Sequence, residues 1–337
     1  MTLCLVTGGA GFLGQHVVEL LMERGLQVRS MGRGQQEIWK DESRVEIFRG
    51  DIRSKDDIQK ACKNVDVIFH TAAIAGMWGP KELYESINVT GTMLLLNEAK
   101  RIGIEHFIFT SSPSVIFDGK DHQMIDEDQP YPQQYLTHYP QTKAKAEQLV
   151  MKANGQEGES QKKLKTTSLR PHLIIGQQDP HLIPRLVQRA QKGRLRQVGD
   201  GKNIVDMVHV KNAAMAHLNA YDAQLQGKAC GQAYFITNDE PTQLWPWVQE
   251  LLKELNVPFS QRPVSAKLAH RIGAALEWIY RSFNISAEPP MTRFIARQLA
   301  CHHSYNIEKA KRDLNYQPSI SMDEATQEII QWMKTKL

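Results

Sequence analysis

The stretch LCLVTGGAGFLG, residues 3–14, constrains the fold of this chain more than any other. A short apolar run suited to a strand passes directly into a glycine-rich turn and then into the amphipathic pattern FLGQHVVELLMERG. Gly8, Gly11 and Gly14 allow a tight turn, close approach to a phosphate and close packing of helix on strand. Phe12 and Leu13 open the helix, whose N-terminus presents unpaired N–H groups and a positive dipole end to an anion. A strand–turn–helix unit of this kind predicts a dinucleotide site, the plain alternative being a glycine-rich turn without a ligand.

The rest of the first half repeats the alternation. LCLVT (3–7), LQVRSM (26–31), VEIF (45–48), VDVIFH (65–70), HFIFTS (106–111) and TTSLR (166–170) are strand candidates, with helical patterns such as ELYESINVTGTMLLLNEAKRIG between them. Strands alternating with crossover helices predict an α/β, Rossmann-type doubly wound parallel sheet. Gly25 and Gly103 stand where helices would end. The second half is less regular, with helical segments near 181–192, 242–256, 265–283 and 321–336 and strand-like VDMVHV (205–210) and QAYFIT (232–237). The expected division is a dinucleotide-binding domain over 1–175, with 205–230 returning to it. A smaller, mainly helical substrate domain is expected from 176–204 and 231–337.

Composition narrows the partners. With 337 residues, 41% of them apolar, the chain can bury a large core. Its net charge of +4 is not gathered into a basic stripe, which argues against nucleic acid. Cys4, Cys62, Cys230 and Cys301 lie far apart without a Cys-x-x-Cys pair, as expected in a reducing compartment. No signal peptide is apparent and no uncharged apolar run could span a bilayer, so a cytoplasmic protein is expected. His302 and His303 have no third ligand at a suitable spacing. They read as surface or capping residues, and no metal site is expected.

The end of the second strand bears on which dinucleotide. Sites for NAD usually carry an acid there to accept from the ribose 2′-hydroxyl, but this run is SMGRG, with Gly32 at that place and Arg33 next. A guanidinium pairs with a 2′-phosphate where a carboxylate would repel it. NADP(H) is therefore favoured, with NAD(H) as the alternative and a surface arginine in a turn as the plain reading of Arg33.

For chemistry, HYPQTK (138–143) places Tyr139 four residues before Lys143. A tyrosine can exchange a proton with a carbonyl or alcohol oxygen if a nearby cation lowers its pKa, and a lysine one helical turn on can supply that charge. Pro140 is tolerated only in a first turn, so Tyr139 should lie near the helix start. The serine-rich FTSSPSVIFDG (109–119) follows a strand candidate and could hold the substrate oxygen. A second Tyr-x-x-x-Lys match, YNIEK (305–309), has no such company.

Taken together these motifs resemble the extended short-chain dehydrogenase/reductase family. The match runs in order through TGGAGFLG, GDI (50–52), HTAA (70–73), Asn88 in NVTGT, FTSSPSV, YPQTK, LRPHLIIGQQDP (169–180) and NIEKAKRDLNYQPSISMDEA, nearly the whole chain. The resemblance implies Tyr139 as general acid/base, Lys143 as its pKa partner and ribose anchor, and Ser112 as donor to the substrate oxygen, with Ser111 and Ser114 as near alternatives. It implies Asp51 and Ile52 beside the adenine, Thr71, Ala72, Ala73 and Asn88 along the cofactor cleft, and Pro171 near the nicotinamide.

Sugar-nucleotide members carry an arginine in a GDG-x-x-x-R-D-type segment, whereas this chain has GDGKNIVD with Val205 in that place. SSPSVIFDG, RPHLIIGQQDPHLIPRL and GDGKNIVDMVHV look instead like the 3β-hydroxysteroid and sterol-4α-carboxylate dehydrogenase branch. AGMWG, PMTRF and IGAALE look closest to bacterial 2-alkyl-3-oxoalkanoate reductases of olefin biosynthesis. The resemblance thus implies NADP(H)-dependent interconversion of 3-oxo and 3-hydroxy groups on a hydrophobic substrate. The alternatives, in order, are a steroid or sterol dehydrogenase, a nucleotide-sugar epimerase or dehydratase, and a non-catalytic cofactor sensor. It also implies a homodimer through helices near 81–102 and 139–153. In 265–283, Leu268, Ile272, Ala275, Ile279 and Phe283 share one helical face, with Lys267, His270, Arg271 and Arg281 elsewhere. This is either a core-packing helix or a substrate lid touching a membrane surface. Trp78, Ser114 and His172 are the candidate substrate contacts.

Overall fold

A computed structural model describes residues 2–34, 36–39, 42–180 and 182–337. Seven parallel strands form the central sheet: β1 (Leu3–Thr7), β2 (Gln27–Gly32), β3 (Val45–Arg49), β4 (Val67–His70), β5 (His106–Thr110), β6 (Lys165–Pro171) and β7 (Gln232–Ile236). Their spatial order is β7-β6-β5-β4-β1-β2-β3. The direction of winding reverses between β1 and β4, which opens a crevice at their C-terminal ends. The chain has the expected Rossmann-type α/β fold.

The sheet is buried on both faces. Helices Phe12–Glu23 and Val210–Leu225 pack together, and with helix Glu308–Leu314 they cover one face. Lys55–Ala61, Gly91–Ile102 and His138–Ala153 cover the other. This two-sided burial is why the central strands are near-continuous apolar runs rather than alternating ones. Gly103, at φ 86°, caps Gly91–Ile102 in the left-handed conformation that glycine adopts without strain.

A second core gathers residues 175–207, 244–269, 296 and 322–333 beside this layered unit. The helices expected near 242–256, 265–283 and 321–336 form at Leu244–Glu254, Ala266–Ser282 and Met322–Lys334. The one expected from 181 spans Leu182–Gln191, with His181 outside the described residues.

Two elements depart from the sequence reading. QAYFIT is the edge strand β7, paired in register with β6, so the return to the first unit passes the expected limit at 230. Tyr305, Ile307, Ala310, Leu314 and Tyr316 pack in that first core too, so 231–337 does not form one piece of a second domain. An apolar, aromatic-rich run shows that it will be a strand but not which sheet will receive it. VDMVHV divides into Ile204–Val205 and Val208–His209, which join different small sheets, and a helix starts at Val210.

Candidate active site

The glycine turn lies at the β1 end of the crevice. A Cβ on Gly14 would fall 2.1 Å from the Gly8 carbonyl oxygen, and one on Gly11 would fall 3.0 Å from it. Gly8 has φ 73° and abuts Ala72 at the end of β4, where a Cβ would come within 3.0 Å of the Ala72 Cα. Helix Phe12–Glu23 begins at Gly11, which has no capping side chain, and its first turn carries no acid. The turn is therefore a close-fitting cradle open to an anion, as a pyrophosphate requires. Thr71 Oγ1 donates to the Thr7 carbonyl at 2.7 Å, which ties the β4 end to the turn, with Ala73 exposed beside it.

The second strand ends at Gly32 as expected, and the exposed Arg33 follows it. Asp51 is held below its ordinary pKa, first by hydrogen bonds from the Arg53 guanidinium and more weakly by the nearby charge of Arg33. Asp51 is thus already paired with Arg53, at 2.5 Å for the shortest contact. Ile52 is buried against Gly91, where a Cβ would meet its side chain at 2.8 Å, so it packs the core rather than standing open at the cleft.

Asn88 occupies a π-helical turn, Glu85–Thr90, inside a longer helical run. Its amide accepts from the Ile74 N–H at 2.9 Å and donates to the Ile74 carbonyl at 3.2 Å and to Thr142 Oγ1 at 3.1 Å. These bonds are all internal, so Asn88 clamps the loop after β4 to the helix bearing Tyr139 and Lys143.

Helix His138–Ala153 starts one residue before Tyr139, with Pro140 in its first turn. Ser112 lies just past the end of β5, and its hydroxyl accepts from the Ser114 N–H at 3.2 Å, which leaves its own O–H free to donate. The Ser112 hydroxyl neighbours the Tyr139 phenol. Burial raises the phenol above its ordinary pKa, and the hydrogen-bonding influence of Ser112 offsets part of that rise. Lys143 lies one turn further along the same helix and is 3% exposed. Its Nζ donates to the Thr110 carbonyl and stands 4.2 Å from the Phe109 ring centroid. Burial lowers its pKa to about 7, with the Glu147 carboxylate opposing the fall. The expected lowering of Tyr139 by this cation is not found. The ammonium is held by β5 instead, and burial disfavours charge on both groups.

Two buried polar assemblies support the helix and were not foreseen. Glu147, one turn beyond Lys143, pairs with Arg170 at 2.7 Å and accepts from Tyr131 at 2.7 Å and Ser168 at 2.8 Å. The Tyr139–Lys143–Glu147 spacing in YPQTKAKAE was a readable signal for it. His70 bridges Thr7 at 2.7 Å and Thr92 at 2.9 Å, linking β1, β4 and helix Gly91–Ile102.

The other candidates are dispersed. Pro171 ends β6, buried and in register with Ile236. His172 is buried, 3.3 Å from His303, with its ring also against Tyr305, in a histidine–tyrosine cluster. His303 is 1% exposed in a short strand, which corrects its reading as a surface residue. Tyr305 of the second Tyr-x-x-x-Lys match packs against Phe235 in the core with the rings tilted, and Lys309 bonds to Gln232 and Ala233. Trp78 donates to the Ile285 carbonyl at 3.3 Å and meets Tyr280 and Arg281, so it holds the end of helix Ala266–Ser282.

That helix does not bury its large apolar face. Ala269, Gly273 and Glu277 face inward, with room at Gly273 only for hydrogen because a Cβ would lie 2.6 Å from the Thr292 backbone. Leu268, Ile272, Ala275, Ile279 and Phe283 are exposed, the last by 72%, which overturns the core-packing reading.

Residues 5–266 match the model of the 3-beta hydroxysteroid dehydrogenase/isomerase family. The 2-alkyl-3-oxoalkanoate reductase of Stenotrophomonas maltophilia is 40% identical over 95% of this chain and 96% of its own. The decarboxylating sterol-4-alpha-carboxylate 3-dehydrogenase of Mus musculus is 34% identical over 97% of this chain and 90% of its own. The structure of UDP-glucuronic acid 4-epimerase from Bacillus cereus in complex with NAD superposes with a TM-score of 0.74 at 22% identity, covering 99% of both chains.

Proposed function

The chain belongs to the 3-beta hydroxysteroid dehydrogenase/isomerase family, and from that premise we propose that it reduces a 2-alkyl-3-oxoalkanoate with NADPH. It is an oxidoreductase interconverting 3-oxo and 3-hydroxy groups. The observation that supports this most is the meeting of Ser112 and Tyr139 at the end of β5, with Lys143 one turn behind.

The glycine turn and the uncapped helix start would hold the pyrophosphate, with Thr71, Ala72 and Ala73 along the cleft and Pro171 towards the nicotinamide. Arg33 beside Gly32 would take the 2′-phosphate, which favours NADPH over NADH. When bound, the cofactor supplies the hydride. Ser112 donates a hydrogen bond to the substrate oxygen, and Tyr139 passes that oxygen its proton. Lys143, one turn behind on the same helix, would anchor the nicotinamide ribose.

Val205 is fully buried in a short strand, where an apolar side chain cannot neutralise a diphosphate, which disfavours a nucleotide sugar. A sterol substrate is the second reading, favoured by the Mus musculus relative.

Among the described residues no helix is long and apolar enough to cross a membrane. A cytoplasmic enzyme with peripheral lipid contact through the exposed face of Ala266–Ser282 fits this reading. So does a homodimer through the helices at 81–102 and 138–153, where Met93 is 39% exposed.

The test is Tyr139→Phe. Turnover of a long-chain 2-alkyl-3-oxo acid should fall by about 10²–10⁴, while NADPH affinity measured by fluorescence stays within about threefold. Unchanged turnover would sink the mechanism, and a 3-ketosteroid reduced faster than the acid would favour the second reading.

A further inference from the structure

Three buried hydroxyls flank the Ser112–Tyr139 meeting point without a close partner among the described residues; Ser111 has the Glu147 carboxylate beside it, whereas Ser114 and Thr137 have no such acceptor. Ser114 Oγ is buried without a hydrogen bond, two residues beyond Ser112 and in the turn that Ser112 caps. Thr137 Oγ1 is also buried without one, two residues before Tyr139. Thr137 stands at the N-cap of helix His138–Ala153, where a threonine ordinarily accepts from the first turn, yet its side chain makes no capping bond. The two segments are tied together, since Tyr135 donates its phenolic O–H to the Val115 carbonyl at 3.0 Å. A buried hydroxyl without a partner costs free energy, so two of them beside one reacting centre indicate an absent acceptor.

The chemistry of the relatives says what that acceptor is. A 2-alkyl-3-oxoalkanoate and a sterol 4α-carboxylate oxidised at C3 share one local pattern: a carboxylate on the carbon next to the one bearing the reacting oxygen. While Ser112 and Tyr139 hold that oxygen, the carboxylate must lie within a few ångströms of them. There it needs donors, and the positive end of a helix favours its charge.

We propose that Ser114 and Thr137 form a carboxylate subsite that selects β-oxygenated acids over the corresponding ketones and esters. This rests on the oxidoreductase reading above. Each hydroxyl donates to one carboxylate oxygen, at the start of helix His138–Ala153. Specificity then comes from the acid group common to both relatives, and the hydrophobic remainder can vary.

The experiment measures NADP⁺-dependent oxidation of a 2-alkyl-3-hydroxy acid, which is stable in solution, and of its methyl ester. It compares wild type with Ser114→Ala, Thr137→Val and the double variant. NADPH binding reports that each variant is folded. The expected result is that wild type prefers the acid and that each substitution raises KM for the acid by about 10-fold. The double variant should lose about 100-fold in kcat/KM for the acid and at least about tenfold less for the ester, so that the acid-to-ester preference collapses. Equal losses on acid and ester, or no loss on the acid, would overturn the subsite while leaving the oxidoreductase reading in place. A wild type that oxidises neither compound overturns that reading, and the subsite with it.

Discussion

Glu147 and Arg170 form an ion pair with side chains 0% and 4% exposed, inside the layer between β6 and the helix that carries Tyr139 and Lys143. Two charges taken from water this completely are tolerated because they pair with each other through Arg170 Nε and Nη2, and Ser168 and Tyr131 complete the carboxylate. Glu147→Ala leaves the Arg170 guanidinium buried and unpaired and should destabilise the fold by about 3–5 kcal/mol. The double variant Glu147→Leu with Arg170→Leu should be much closer to wild type. Urea denaturation of the three variants in a cycle checks this. The pair should also sensitise the fold to acid. The carboxyl of Glu147 lies below its ordinary pKa, so its contribution is present above the unfolded value and lost as pH falls through the folded one.

Lys143 has the same slope with pH, but it carries a penalty on its charged form where Glu147 carries a gain. Its folded pKa of about 7 lies below the ordinary 10.5, so between those values the unfolded chain binds the proton that the folded chain has released. Stability of the cofactor-free protein must rise with pH across that window, and the full penalty for the buried ammonium applies below pH 7. Relative to wild type, Lys143→Met should therefore be most stabilising at pH 6. The advantage should shrink steadily on the way to pH 10. Thermal denaturation at a series of pH values tests the sign, and a gap constant with pH would contradict it. The same variant should be nearly inactive, as expected where a strained group serves function rather than stability.

Arg33→Ala should lower kcat/KM for NADPH by about 10- to 100-fold, because a charge-assisted bond to a phosphate is lost. NADH, which has no 2′-phosphate, should be used within about twofold of wild type. Steady-state rates with the two cofactors decide it. If wild type already uses NADH as fast as NADPH, Arg33 is an ordinary surface residue.

The segment from Ala266 to Ile285 should bind anionic lipid. Trp278 and Phe283 are 68% and 72% exposed there, alongside Leu268, Ile272, Ile279 and Ile285. Its exposed charges are the cations Lys267, Arg271 and Arg281, since the sole acid of the segment, Glu277, is buried and bonded to Arg293 at 2.7 Å. Vesicles containing phosphatidylserine should co-sediment with wild type and not with Trp278→Asp/Phe283→Asp, and added salt should weaken the binding. Equal sedimentation of both proteins would exclude this face as the lipid contact.

Much of the candidate site was legible because its signals are local. The glycine turn, the strand-end serines, the helix start at Pro140 and the Tyr139–Lys143 spacing each act within a few residues, where covalent geometry and helical periodicity govern. The apolar stripe of residues 265–283 was legible too, but its destination was not. The tightest approach in the fold there is to a glycine, and Gly273 directed the small Ala269–Gly273–Glu277 edge inward and left the large side chains outside.

The sequence by itself determined the strand–helix alternation, the glycine turn after β1 and the placing of Tyr139 and Lys143 on one helix, because these follow from local propensity and spacing. Only the tertiary structure decided that QAYFIT completes the sheet, that Asn88 clamps a loop, that Glu147 meets Arg170, and that Lys143 is held by Thr110 instead of depressing Tyr139. Those outcomes depend on which distant groups share a buried space. Desolvation and pairing there are set by three-dimensional neighbours that no spacing along the chain specifies.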